Sequence, residues 1–107
     1  MGAYKNKLIS AGKDKVIRIW DYNMCKCEKM MTGHLDLIRT LDIQNVNLVS
    51  AGMDYKIKLW DLENTKLIYT IDEAHTRSIE SVIFAKDFFI SGSKDGLIKI
   101  WNFIKGY

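Results

Sequence analysis

Proline is absent from the 107 residues, so no segment carries a built-in helix breaker or a stiff proline-rich linker. Glycine occurs seven times, too sparsely for a flexible tether. The two cysteines, Cys25 and Cys27, stand too close together to staple a secreted domain, which favours a reducing compartment. No apolar run approaches the about 20 residues of a membrane-spanning helix, and no secretory hydrophobic segment opens the chain. Gly2 could accept a myristoyl group, but Asn6 stands where serine or threonine is wanted. Charge of one sign is also scarce: the formal net charge of +3 comes mostly from scattered lysines, a weak case for nucleic acid. What remains is a globular chain, 48% hydrophobic and 27% charged, expected in the cytoplasm or nucleus.

What the sequence does have is repetition. "LISAGKDKVIRIWD" at Leu8–Asp21 returns as "LVSAGMDYKIKLWD" at Leu48–Asp61 and as "FISGSKDGLIKIWN" at Phe89–Asn102. Trp20 and Trp60 are 40 residues apart, and Trp60 and Trp101 are 41 apart. Six residues before each tryptophan stands Asp14, Asp54 or Asp95; ten before stands Ser10, Ser50 or Ser91. Twenty-six before stand His34 and His75, in the second and third copies only. A fixed period of this size is the mark of a repeat architecture.

Inside each unit the local signals are strand and turn. Short apolar runs are broken by Gly-X-Asp or Ser-Lys-Asp, which read as tight turns. Val16–Trp20, Lys56–Trp60 and Leu97–Trp101 carry the β-branched, alternating character of sheet interiors. Lys26–Met31 and Lys66–Ile71 read as more polar strands, and Leu37–Ile43 and Ser78–Phe84 open the second and third units. No stretch sustains a helical period. The pattern predicts four strands per unit, a to d, in the order b-c-d, a-b-c-d, a-b-c: ten strands in all.

Ser, His and Asp within one unit suggest a hydrolase, yet no G-x-S-x-G elbow occurs. A catalytic triad also appears once, whereas this constellation is copied unit by unit. Cys25, Cys27 and His34 offer C-x-C and no second pair to complete a tetrahedral metal site. Both glycine-rich phosphate-binding patterns are missing. Arg18, Lys58 and Lys99 share one column, two before the tryptophan; they read as stems flanking buried sheet with their charged heads in water. The sequence therefore predicts no enzyme, no metal and no cofactor.

The spacing of "TGH", "SAGMDYKIKLWD" and their copies resembles the WD-repeat β-propeller family over nearly the whole chain. That resemblance implies an all-β fold of four-stranded antiparallel blades. Blade one would hold strands b to d over about 7–31, blade two about 34–71, and blade three strands a to c over about 75–104. It also implies a hydrogen-bond relay within each blade: His34, Ser50, Asp54 and Trp60 in the second, His75, Ser91, Asp95 and Trp101 in the third. In the first it leaves Ser10, Asp14 and Trp20 without a histidine. The third copy departs from the pattern, with Ala74-His75 for Gly-His and Trp101-Asn102 for Trp-Asp. The Trp-Asp-x-Arg signature of ubiquitin-ligase receptors is absent, since Asn23, Glu63 and Ile104 stand where arginine is wanted.

The implied function is a non-catalytic scaffold for protein–protein interaction within a multi-subunit complex. Candidate contact residues are Lys13, Met53, Tyr55 and Lys94 at the b–c tips, with Leu35 and Asp36 in the d–a loop. "SAGMDYKIKLW", "GHLDLIRTLD" and the Ala85-Lys86-Asp87 link are also similar to the extra-sex-combs type of Polycomb subunit, which implies an alternative, chromatin-associated reader of histone tails. Ten strands make about two and a half blades, whereas propellers close with about four to eight. An incomplete ring is therefore expected: a fragment of a longer protein, a truncated gene product, or a piece whose bare faces are covered by another propeller fragment or by self-association. On this strand count two copies duplicate strands b and c rather than complete one another.

Overall fold

The computed structural model describes residues 2–4, 7–21, 26–72 and 74–102. Cys25, Asn23, Ile104 and the myristoylation position at Asn6 lie outside them. The described chain is all β. Its strands are β1 (Gly2–Tyr4), β2 (Lys7–Ser10), β3 (Ile17–Asp21), β4 (Lys26–Met31), β5 (Ile38–Gln44), β6 (Asn47–Gly52), β7 (Ile57–Asp61), β8 (Lys66–Ile71), β9 (Ile79–Ala85), β10 (Phe88–Ser93) and β11 (Ile98–Asn102). They form three antiparallel sheets, ordered β1-β2-β3-β4, β5-β6-β7-β8 and β11-β10-β9. These are propeller-like blades. Among the described residues no helix is long and apolar enough to cross a membrane.

One strand more is present than the sequence pattern predicts. Gly2–Tyr4 pairs with β2, Gly2 opposite Ile9 and Tyr4 opposite Lys7, so the first sheet has four strands rather than three. Three residues are too few to display a period of two, which is why the pattern passed over them. Elsewhere the predicted strands stand within one residue or so of the observed ones.

The turns follow from their side chains. In each b–c hairpin the aspartate accepts the amide two residues on: Val16 N donates to Asp14 Oδ1 at 3.3 Å, Lys56 N to Asp54 Oδ1 at 3.1 Å, and Leu97 N to Asp95 Oδ1 at 2.9 Å. Such bonds fold the backbone locally. The residue between is left-handed every time, with φ of 67° at Lys15, 65° at Tyr55 and 84° at Gly96. At β3–β4 and β7–β8 the register shifts at the same place, between Ile19 and Trp20 and between Leu59 and Trp60.

Register assigns each sheet two faces. What we call the leading face carries Ile9, Ile17 and Ile19 in the first sheet, Val49, Ala51, Ile57 and Leu59 in the second, and Ile83, Ile90, Ile98 and Ile100 in the third. The trailing face carries the tryptophan and serine: Leu8, Ser10 and Trp20; Leu48, Ser50 and Trp60; Phe89, Ser91 and Trp101. Leading face packs on trailing face twice. Ile9, Ile17 and Ile19 meet Leu48 and Trp60 in one core cluster, and Val49, Ala51, Ile57 and Leu59 meet Val82 and Phe89 in the other. Burying each such aliphatic side chain contributes about 1.5–3 kcal/mol. Polar bonds fix the second seam: Val82 N donates to Thr40 Oγ1 at 3.2 Å and Phe84 N to Asp42 Oδ2 at 2.8 Å.

Gly52 ends β6 where β5 passes close. A Cβ there would lie 2.1 Å from the Leu37 carbonyl oxygen and 2.9 Å from the Arg39 amide nitrogen, whereas one on Gly12 meets nothing within 4 Å. Gly52→Ala is expected to destabilise the fold by about 1–3 kcal/mol as overpacking does, and Gly12→Ala by under about 0.5 kcal/mol as at open sites. Urea denaturation of the two variants compares them directly.

Candidate functional site

The side chains placed together in the second blade form a continuous chain of hydrogen bonds. Trp60 Nε1 donates to Ser50 Oγ at 2.8 Å, His34 Nε2 lies 2.6 Å from the same oxygen, and His34 Nδ1 lies 2.7 Å from Asp54 Oδ2. The indole nitrogen can only donate, and Nδ1 facing an ionised carboxylate carries a proton. In the neutral ring Nε2 is then an acceptor, so the serine hydroxyl donates to it while accepting from the indole. The third blade repeats the geometry: Trp101 Nε1 to Ser91 Oγ at 2.9 Å, His75 Nε2 to Ser91 Oγ at 2.7 Å, and His75 Nδ1 to Asp95 Oδ2 at 2.9 Å.

The first blade keeps only half of it. Trp20 Nε1 donates to Ser10 Oγ at 2.8 Å, but Asp14, exposed and without a histidine, pairs with Arg18. That guanidinium bond holds the Asp14 carboxyl below its ordinary value.

Backbone amides complete the aspartate sites, and sequence reasoning missed them because an amide has no signature. Leu35 N donates to Asp54 Oδ2 at 3.0 Å, and Thr76 N to Asp95 Oδ2 at 3.2 Å. Each aspartate thus ties its own b–c turn to the d–a loop. Burial pushes the Asp54 carboxyl upward, but the bonds from His34 and from the amides of Leu35 and Lys56 outweigh it and hold it below the usual range. For Asp95 burial again raises the value, and the Leu97 amide, His75 and the Thr76 amide bring it down to about 2.

Connectivity of carboxylate to Nδ1 and Nε2 to a serine hydroxyl is also that of a hydrolase triad. Here the hydroxyl is committed to the indole, and Ser50 and Ser91 are fully buried. A substrate carbonyl has no approach to either oxygen.

The basic column corrects a sequence expectation. Lys58 does not hold its head in water: it is buried, and its Nζ donates to Thr70 Oγ1 at 3.0 Å. Desolvation lowers its pKa. Lys99 Nζ donates to the Ala74 carbonyl at 2.7 Å, 5.8 Å from the centre of the Trp101 ring. At Lys58 and Lys99 the loop before the sheet folds over the column, with Gly33 against both Lys58 and Trp60, whereas Arg18 pairs with Asp14. Cys27, half-buried, is a free thiol, and no group of metal-ligating side chains occurs among the described residues.

The contact candidates lie on one rim. Leu35, Met53 and Tyr55 are exposed apolar residues. The Asp54 carboxylate holds the Leu35 amide, and Met53 N donates to the Leu37 carbonyl at 2.9 Å. Lys13, Asp36 and Lys94 are exposed; Lys94 lies 3.5 Å from Glu80, and the Asp36 carboxylate accepts the Leu37 amide at 2.7 Å.

These blades place the chain in a known class. The family model of the WD domain, G-beta repeat, matches residues 2–21, 25–61 and 65–102, and the chain belongs to that family. It is 30% identical to the WD repeat-containing protein pop2 of Schizosaccharomyces pombe over 95% of its own length and 11% of that protein's. It is 37% identical to the nuclear distribution protein nudF of Emericella nidulans, over 94% of its length and 24% of the relative's. Against mitochondrial division protein 1 of Aspergillus terreus the identity is 26%, covering 92% and 20%. Among solved structures, the computationally designed Ika4 protein superposes with a TM-score of 0.85 at 27% identity, over 94% of this chain and 62% of that one. The chain thus spans a tenth to a quarter of these curated relatives. Each matched segment ends on the third strand of a sheet, at Asp21, Asp61 or Asn102. The sequence repeat is therefore offset from the sheet by one strand.

Ser50→Ala strips two buried groups, the Trp60 indole and His34 Nε2, of their partner. The expected loss of stability is about 1–3 kcal/mol for each orphaned group, against under about 1 kcal/mol for Ser10→Ala, where water can replace the hydroxyl beside half-buried Trp20. Chemical denaturation measures both. The aspartates predict the acid limb. A carboxyl with a folded value below its unfolded one, 3.8 for Asp95, binds protons more readily when unfolded, so its contribution is complete above that value and lost as pH falls toward about 2. Asp95→Asn should flatten the fall of stability between those limits in acid denaturation.

Proposed function

We propose that this chain is a non-catalytic WD-repeat scaffold that holds protein partners on its loop rim as part of a multi-subunit complex. One observation carries the reading: Met53 and Tyr55 are both exposed at the tip of the second b–c hairpin, where Tyr55 keeps a left-handed backbone, φ 65°, as Lys15 does in the first blade and Gly96 in the third. A non-glycine residue in that region costs free energy, and the tyrosine ring is exposed beside Met53 and Leu35. Aromatic anchors dominate protein interfaces, and loops on a rigid frame supply their specificity. The uncovered sheet faces are a second surface, suited to another propeller fragment or to self-association. The free thiol of Cys27 suits the reducing cytoplasm or nucleus.

A methyl-lysine reader needs several aromatic rings together. Among the described residues the exposed aromatics, Tyr55 and Phe88, stand on different sheets, which favours the scaffold over the histone-tail alternative.

The test is affinity capture on the immobilised chain. Proteins retained by the parent chain should be lost from a Met53→Ala/Tyr55→Ala variant whose thermal unfolding is unchanged. Retention of the same proteins by that variant rejects the rim as the binding surface.

A further inference from the structure

We infer that the loop rim takes an acidic segment of a partner protein that carries an apolar anchor. Tyr55, Met53 and Leu35 hold the anchor, and Lys13, Lys15 and Arg77 meet the acidic residues beside it. The inference rests on the scaffold reading and names the partner chemistry that such a rim selects. The observation is a rim stitched across three blades by backbone bonds, apolar at its centre and cationic on both sides.

The stitching runs from the first blade to the third. The Gly12 carbonyl accepts the Ile38 amide at 3.2 Å, tying the first b–c tip to the start of the second sheet. One residue earlier, the Leu37 carbonyl accepts the Met53 amide, so the first and second tips flank the same short stretch of backbone. The Tyr55 carbonyl accepts the Ala74 amide at 3.1 Å, which joins the second tip to the loop before the third sheet. That loop is fixed to the third tip in turn: the Ser78 carbonyl accepts the Lys94 amide at 3.1 Å, and Ser93 Oγ donates to the Arg77 carbonyl at 3.2 Å. Tyr55 stands in the middle, its own amide bonded to the Gly52 carbonyl at 3.3 Å. A ring carried on backbone held at both ends has little freedom left to lose on binding, so its contact area is well converted into affinity.

Charge selects what can approach. Lys13 and Lys15 flank the centre from the first blade and Arg77 from the third; all three are exposed and, among the described residues, form no ion pair. Lys94 and Arg39 share one carboxylate, that of Glu80. The neighbouring acids are committed: Asp54 and Asp95 to imidazole and amides within the blades, Asp14 to Arg18, and Asp72 to Lys56. Asp36 is exposed and bonds the Leu37 amide. An apolar centre ringed by charge is the anatomy of a binding patch, and complementary charge speeds encounter and rejects partners of like sign.

A nucleic acid matches the charge but not the centre. Single strands are held by stacking successive bases on aromatic rings, and Leu35 and Met53 offer none. Phe88, the other exposed aromatic among the described residues, opens β10 at the end away from the Lys94 tip.

Fluorescence anisotropy with a short labelled peptide of glutamate and aspartate around one phenylalanine and one leucine is the test. Lys13→Glu/Arg77→Glu and Met53→Ala/Tyr55→Ala should each weaken its binding by roughly tenfold or more, the loss of one hot spot. Lys26→Glu/Lys66→Glu, the same charge change where β4 and β8 begin, should change it by less than about twofold. Where the charge reversal alters thermal unfolding, Lys13→Gln/Arg77→Gln should weaken binding in the same direction. Equal binding of the asparagine and glutamine counterpart of the peptide, equal loss in the two charge-reversed variants, or tighter binding of single-stranded oligothymidylate overturns the proposal. Affinity capture separates it from the reading beneath it. Should Lys13→Glu/Arg77→Glu keep the proteins that Met53→Ala/Tyr55→Ala loses, the rim stands and its acidic partner falls; should both keep them, the rim itself falls.

Discussion

A buried indole N–H has one proton to give and must find an acceptor. In the second and third blades that requirement organises everything near it. The serine oxygen that accepts this hydrogen bond sits on the neighbouring strand, the imidazole bonded to the serine hydroxyl comes from the loop before the sheet, and the aspartate behind the imidazole belongs to the hairpin between the two strands. One hairpin and the loop before its sheet are held by one thread of polar contacts, within sheets otherwise packed by aliphatic side chains. The same carboxylate then captures an amide of the preceding loop and another in its own turn. A bonding demand inside the blade thereby determines the shape of the rim outside it.

Most of the strand order was legible because the strands from β3 onward are five to seven residues long, between turns whose residues are chemically distinctive. Trp, Ser, Asp and His positions were legible because a side chain that must meet a fixed partner returns at a fixed interval. What escaped the sequence has physical reasons of its own. The strand at Gly2–Tyr4 is defined by its pairing with β2, which no local pattern encodes. Lys58 looks solvated by type and is covered only because Gly33 and its loop fold over it. The left-handed backbone at Tyr55 is imposed by a turn that glycine or lysine occupies in the sister copies, so residue type there gives no warning.

The three copies are not equivalent, and their differences follow their neighbours. The first lacks histidine, and its aspartate turns to Arg18 in the open. In the third, Ser93 stands where the others have glycine and bonds the carbonyls of Arg77 and Ser78, at 3.2 and 2.9 Å. The second, flanked on both sides, has four consecutive buried residues in β7. Burial on both faces is what separates a strand reading as a continuous apolar run from one that alternates.

The offset between repeat and sheet has a consequence for how such chains change length. The second and third matched segments each carry the outermost strand of one sheet followed by the inner three of the next, β4 with β5–β7 and β8 with β9–β11, whereas the first carries β1–β3. Duplicating or excising the second segment at the DNA level would hand the preceding sheet a replacement outer strand of the same kind. The gene could thus gain or lose blades in whole steps without passing through a broken intermediate.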